Sequence, residues 1–422
     1  MKENIKSVVV LTAICLVVAV LLAYTNSITA PIIEENKAAK ASGSLLEVMP
    51  EATSFENITE TLANLPATVK EVHRETSGLG HVMILGTTTQ FSSDEMGITV
   101  AIGADGKISN VLLTGYYESK DFGADYPSTY IGQDSALGGV DTVAGTTFSS
   151  TAFKDAITDA FNVLIENNLV AAGQKSEEQL IAEAMPLALP SSADSLGNCQ
   201  LTAIEAPAAP ATQAYKANNG TGYIFVADGG SQGTVIVGVN AFGVAKVYNL
   251  DAVEVTAECE GIIADLAAAY PALATENLEN NTAAAQATVA EGAVLTPVDS
   301  LAVTGTAIAA FTADVEGATQ YVVITAPLGY SNETMKMITV FDADGNVIFY
   351  KTLTELILHG EYYATHELTD ESAYRQQFLG LNEGTYSDDM TLVAGATMTA
   401  NAVASSFNSA FEALNLIKEV VA

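Results

Sequence analysis

Three stretches of the chain alternate apolar and polar residues, break at a Gly-containing turn, and alternate again. They are "MGITVAIGADGKISNVLLTG" (96 to 115), "GTVIVGVNAFGVAKVYNLDA" (233 to 252) and "MKMITVFDADGNVIFYKTLT" (335 to 354). Period-two alternation around Asp-Gly or Phe-Gly predicts a β-hairpin in each. A short apolar run after Gly or Thr precedes each hairpin ("GLGHVMIL", "GTGYIFVA", "GATQYVVIT") and predicts one further strand. Helical periodicity follows the first and third hairpins. Counted from Thr147, apolar Phe153, Ile157, Phe161 and Leu164 recur at spacings of four, four and three. Counted from Thr397, Val403, Phe407, Phe411 and Leu414 fall at the same offsets. Such spacing marks one face of an amphipathic helix.

Internal repetition predicts an array of like units. The middle unit offers only a decayed helix start in "VDSLAVTGTAIAAF" (298 to 311), where Val303 stands at the glycine position and Gly305 at the threonine position. The expected units span 43 to 172, 180 to 312 and 313 to 420, with "AAGQKSEEQ" as a linker and the Ala/Pro-rich "IEAPAAPATQ" as a loop inside the second. Strands followed by helices argue for an α+β fold.

The N-terminus carries a different pattern. Lys2 and Lys6 precede the uncharged run Val8 to Tyr24, which reaches the lower limit for a bilayer-spanning helix. Pro31 after "SITA" makes a poor cleavage site, so residues 1 to 34 are expected to stay as a membrane anchor. Basic residues before the span place the N-terminus in the cytoplasm and the bulk of the chain outside.

Composition narrows the partners. With 50 acidic and 16 basic residues, the net charge of −34 excludes a nucleic-acid partner. Cys15 lies in the apolar run, and Cys199 and Cys259 alone make no disulfide framework or metal motif. His359 and His366 near Glu361 lack the third ligand and the spacing of a zinc site, so no metal is expected. No P-loop, dinucleotide fingerprint or acid-base constellation of histidines is present.

The chemistry concentrates where the two amphipathic helices begin, at "DTVAGTTFSS" (141 to 150) and "TLVAGATMTA" (391 to 400). A threonine there can cap the helix. The same position, with free N–H groups and the positive end of the helix dipole, also suits a phosphate carried as an ester on the hydroxyl. Small neighbours would expose that hydroxyl.

These features, together with the N-terminal anchor, "LLEVMPEATSFENI" (45 to 58) and the "GADGKI" hairpin, resemble the FMN-binding domain family. That family is exemplified by the flavin-bearing subunits of the Rnf ion-translocating oxidoreductase and of the sodium-translocating NADH:quinone reductase. The resemblance implies FMN joined through its phosphate to Thr397 within Gly395-Ala396-Thr397, and to Thr147 within Gly145-Thr146-Thr147, by a dedicated flavin transferase. Thr397 is the closer match, since Thr146 replaces the usual alanine beside Thr147; Ala394 and Ala144 both stand where the family has Ser or Thr. Glu118 and Ser119 of "ESKDFG" hold the place of a family segment near the flavin. The middle unit should carry none.

The implied function is a membrane-anchored, extracytoplasmic electron carrier within an Rnf-type complex, with the cell membrane and the other redox proteins of that complex as partners. Two rivals remain at this level. One is a surface-attached structural or binding protein with vestigial flavin domains; the other is an extracytoplasmic flavin reductase.

Overall fold

The computed structural model describes residues 44–89, 92–116, 122–270, 272–354, 373–387 and 397–421. The expected anchor, Val8 to Tyr24, lies outside these residues. Among the described residues no helix is long and apolar enough to cross a membrane. Contacts divide the chain at Lys175/Ser176 into two compact units.

The first unit opens with a short helix α1 (44–48) and then runs through five antiparallel strands in sequence order. They are β1 (Phe55–Asn57), β2 (Val69–Glu75), β3 (Gly80–Thr89), β4 (Ser92–Gly103) and β5 (Ile108–Gly115). After a 3-10 turn at Pro127–Tyr130, helix α2 (Thr147–Glu166) completes the unit. Its predicted face is the buried one, since Phe153, Ile157, Phe161 and Leu164 join Met83, Leu85, Ile98 and Val100 in one core. Leu45, Val48 and Met49 from the α1 region pack with Val82 and Ala101 in a second, smaller core. Because side chains alternate along a strand, one sheet serves both cores.

The second unit holds two more sheets of the same strand order. Helix α3 (Glu177–Ala188) begins with a capping box, the Ser176 hydroxyl accepting from the Gln179 N–H while the Gln179 side chain accepts from the Ser176 N–H. Strands β6 (Leu201–Ala203), β7 (Ala211–Ala217), β8 (Gly222–Asp228), β9 (Thr234–Asn240) and β10 (Ala245–Asn249) form the next antiparallel sheet. Ile224, Val226 and Ile236 pack with α3; Phe225, Val237 and Val247 pack with Leu266 of helix α4 (Glu260–Ala269). Helix α5 (Ala272–Gln286) then leads into a third sheet of β11 (Val294–Pro297), β12 (Ala307–Val315), β13 (Ala318–Thr325), β14 (Met337–Phe341) and β15 (Val347–Thr352). A one-turn helix α6 (Ala373–Gln376) and the long helix α7 (Thr397–Val421) close the chain. Val403, Phe407, Phe411 and Leu414 of α7 are buried in the core of this sheet.

All three predicted hairpins are present, with Gly106, Gly243 and Gly345 at positive φ in the turns. The decayed helix start at 298 to 311 is not a helix start. Val303 and Gly305 precede strand β12, which pairs with β11 and β13, and the division at 312 falls inside that strand. A short apolar run such as "AIAAF" fits either element by periodicity, and pairing with β13 decides it.

The segment is instead a strap. Asn240, at the tip of the β9–β10 hairpin, donates to the carbonyls of Leu301 (2.9 Å) and Val303 (3.1 Å). From the other side, Glu412 of α7 accepts from the N–H of Thr304 (2.7 Å) and of Gly305 (2.9 Å), and Ser409 accepts from the N–H of Thr306 (2.9 Å). Phe242, beside Asn240, is buried in the core of the third sheet. The second and third sheets are therefore pinned through one stretch of chain.

Candidate functional site

The approach to α2 is organised by aromatic residues. Gly132, at φ +84°, closes a small ladder with the start of β5, its N–H donating to the Ile108 carbonyl (2.7 Å) while the Ile108 N–H donates to the Gln133 carbonyl (2.8 Å). The turn that precedes it places Tyr126 and Tyr130 against Phe122 and Phe153. The Tyr126 hydroxyl donates to the Ser150 carbonyl in the first turn of α2 (3.3 Å), so the Tyr130 hydroxyl supplies the proton of the 2.9 Å bond between the two phenols. Burial pushes both phenol pKa values up, and they remain donors throughout the physiological range.

The helix start itself is a tight turn. The Thr146 N–H donates to the Val143 carbonyl (3.1 Å), and Gly145 at φ +85° takes the turn position that L side chains disfavour. Ser150, fully buried, accepts from the Val143 N–H (2.9 Å) and turns its own proton toward the Thr146 and Thr147 carbonyls. Lys154 anchors the same loop by donating to the Val140 carbonyl (2.8 Å). Thr146 is the N-cap residue, yet its side chain makes no cap hydrogen bond; the hydroxyl lies 3.4 Å from the Val143 carbonyl instead. Thr147 is the first helical residue, half-buried, and its hydroxyl has no hydrogen-bond partner among the described residues. No acidic residue occupies the first turn. The positive end of the helix dipole is thus left without a side-chain cap or a carboxylate, beside an unengaged hydroxyl and an open glycine turn. That arrangement fits an anionic phosphate on Thr147.

The third sheet repeats these contacts at α7. The Gly380 N–H donates to the Val347 carbonyl and the Val347 N–H to the Leu381 carbonyl, both at 2.7 Å, with Gly380 at φ +80°. Tyr374 donates to the Ala400 carbonyl at 3.3 Å. Ala400 lies three residues after Thr397, as Ser150 lies three after Thr147. "YPSTYIG" (126 to 132) and "YRQQFLG" (374 to 380) are thus alike in their contacts, a likeness periodicity does not reveal although they share Tyr, an aromatic four residues on, an aliphatic and Gly. One difference stands out chemically: Arg375 replaces Pro127, donates to the Tyr350 carbonyl and lies 5.3 Å from the centre of the Tyr350 ring. Helix α7 starts at Thr397, again with no acidic residue in its first turn. The Thr397 side chain and residues Gly395 and Ala396 lie outside the described residues, as do Glu118, Ser119, His359 and His366.

The middle sheet is followed by a different connection. The chain passes from Asn249 at the end of β10 to Glu260 at the start of α4 with no counterpart of the tyrosine loop or of the Gly-x-Thr turn. Among the described residues no group of three or more His, Cys, Asp or Glu could hold a metal ion, and Cys199 and Cys259 are free thiols.

Comparison with known families agrees with this geometry. Residues 92–162, from β4 to the fifth turn of α2, match the FMN-binding domain model. Residues 1–48 match the RnfG N-terminal region. Over these two segments the chain is similar to the RnfG N-terminal region and to FMN-binding domains. The FMN-binding match encloses Thr147, the less close of the two threonines to the family motif. No curated protein matches the chain.

Proposed function

We propose that this protein is a membrane-anchored, extracytoplasmic electron carrier that holds FMN through phosphoesters on Thr147 and Thr397, as the RnfG-like component of an Rnf-type ion-translocating complex. The observation that carries the reading is the unpartnered Thr147 hydroxyl at an uncapped helix start inside the FMN-binding match. The twin tyrosine-to-helix contact at Ala400 extends it to Thr397.

When bound, FMN supplies reversible one- and two-electron chemistry. The chain's own residues do the holding. Thr147 and Thr397 provide the ester oxygens, and the first turns of α2 and α7 offset the phosphate charge. Tyr126 and Tyr374 fix those turns, while the aromatic clusters beneath them exclude water. Three tandem modules would account for the three sheets: residues 43–172 as expected, then 177–269 and 272–421 in place of a division at 312, of which the middle one carries no flavin. Val8 to Tyr24 is the anchor, a flavin transferase matures the protein, and the other redox proteins of the complex are its electron partners.

The test is flavin fluorescence on a denaturing gel after co-expression with a flavin transferase of proven activity. Fluorescence should persist in Thr147→Val and in Thr397→Val, at a reduced level, and vanish in the double variant. A parent with no fluorescence would leave these threonines as helix starts and favour a binding protein with vestigial flavin domains.

A further inference from the structure

Beside α3, the middle sheet carries an open groove of about 840 Å³ whose floor is apolar and whose rim is acidic. Exposed Ala182 and half-buried Met185 form the accessible apolar floor above buried Ile181 and Val226, while Glu177, Glu178 and Asp228 stand exposed around it. Along α3 the lining residues Glu178, Ile181, Ala182 and Met185 fall three, four and seven apart, which is one continuous helix stripe rising about 10 Å. In the first unit Phe55 and Leu112 pack around Leu45 and Val48. In the middle sheet the edge strand β6 stops at Ala203, and Thr212, Gln213 and Asp228 line an open groove.

Charge identifies what would fill it. None of the three rim carboxylates has an ion-pair partner among the described residues; Glu177 accepts only the Thr234 hydroxyl (2.7 Å), and Asp228 the Gly230 N–H (2.9 Å). Among the described residues no Lys, Arg or His lines the groove. The nearest basic residue along β7, Lys216, follows Tyr215 and so projects from the other face of the strand, where it pairs with Glu276 at 2.9 Å. A net negative rim repels nucleic acid and anionic lipid alike. The volume is too large for a lone cation, and an apolar floor of helical length suits the apolar face of another helix.

We propose that this groove docks a basic amphipathic helix presented by a partner protein, its apolar face on Ala182 and Met185 and its Lys or Arg residues on Glu177, Glu178 and Asp228. The middle module then has a use that requires no flavin: it is the docking module of the chain.

The experiment titrates the full chain into a fluorescein-labelled synthetic helix of Leu and Lys at physiological ionic strength, read by anisotropy. Saturable binding is expected. Glu178→Lys with Asp228→Lys should weaken it by about tenfold or more, and so should Ala182→Arg, which places bulk and charge at an exposed position on the stripe. Glu258→Lys with Asp265→Lys, an equal charge change at exposed positions around α4, should alter affinity by less than about twofold. Equal losses in the two charge-reversal pairs would reduce the effect to attraction by the net charge of −34 and overturn the groove, as would a parent that shows no saturable binding.

Discussion

Replacing Gly305 with alanine tests the strap that joins the second and third sheets. A Cβ at this position would lie 2.4 Å from the Ser409 hydroxyl oxygen, 2.8 Å from the Ser409 Cβ and 2.9 Å from a Glu412 carboxylate oxygen. Glu412 can rotate away, but the Ser409 Cβ is fixed to helix α7, so the strap must move. Overpacking of this kind costs about 1–3 kcal/mol. Displacing Glu412 and Ser409 also removes their bonds to the N–H groups of Thr304, Gly305 and Thr306, at about 1 kcal/mol for each bond not replaced by water. A loss of about 2–4 kcal/mol is expected. Urea unfolding followed by circular dichroism reads it, since the chain has no Trp. Flavin attachment should be unchanged, because the glycine belongs to a strap and not to a decayed flavin site. A Gly305→Ala protein within about 0.5 kcal/mol of the parent, with an unchanged midpoint, would refute the strap.

Three further outcomes follow from the same contacts. Tyr126→Phe removes the bond to the Ser150 carbonyl and the acceptor of the buried Tyr130 hydroxyl, and should cost about 2–3 kcal/mol in denaturant titrations of the first unit. Phe407→Ala deletes a ring stacked on Phe378 at 4.4 Å and 1% exposed, and should cost about 3–5 kcal/mol, read as a lowered urea midpoint. His81 is 7% exposed, neither ring nitrogen has a hydrogen-bond partner among the described residues, and burial, aided by Arg74, holds its pKa below the usual imidazole value. A depressed folded pKa means that the unfolded chain binds the proton more readily. This contribution to stability is therefore present above about pH 6.5 and lost as pH falls through the folded value. His81→Leu should flatten the fall in melting temperature between pH 7 and pH 5; an unchanged slope would contradict it.

Much of the fold was legible because each signal was local. Asp-Gly and Phe-Gly turns flanked by alternation specify hairpins, and the four-four-three spacing after Thr147 and Thr397 specifies the buried faces of α2 and α7. Helix α3 is not among the expected elements and begins inside the stretch read as linker, although Ser176 and Gln179 spell its capping box and "AMP" at 184 to 186 echoes "VMP" at 48 to 50. The strand at 307 to 315 passes for part of a helix start because β12 is identified by its pairing partner, which periodicity cannot supply. At the site, the Gly-x-Thr turns stand out, while the Tyr126 and Tyr374 loops do not. Their residues have no period, and their importance lies in hydrogen bonds to helices that begin more than twenty residues later.

The attachment of FMN to two threonines is tested most directly by intact-mass spectrometry of the protein co-expressed with an active flavin transferase. The account predicts a parent heavier than its sequence by two FMN less two waters. Thr147→Val and Thr397→Val should each be heavier by one such group, and the double variant should have the mass of its bare sequence. A parent at its bare mass, or added mass that survives in the double variant, would contradict the assignment of these residues.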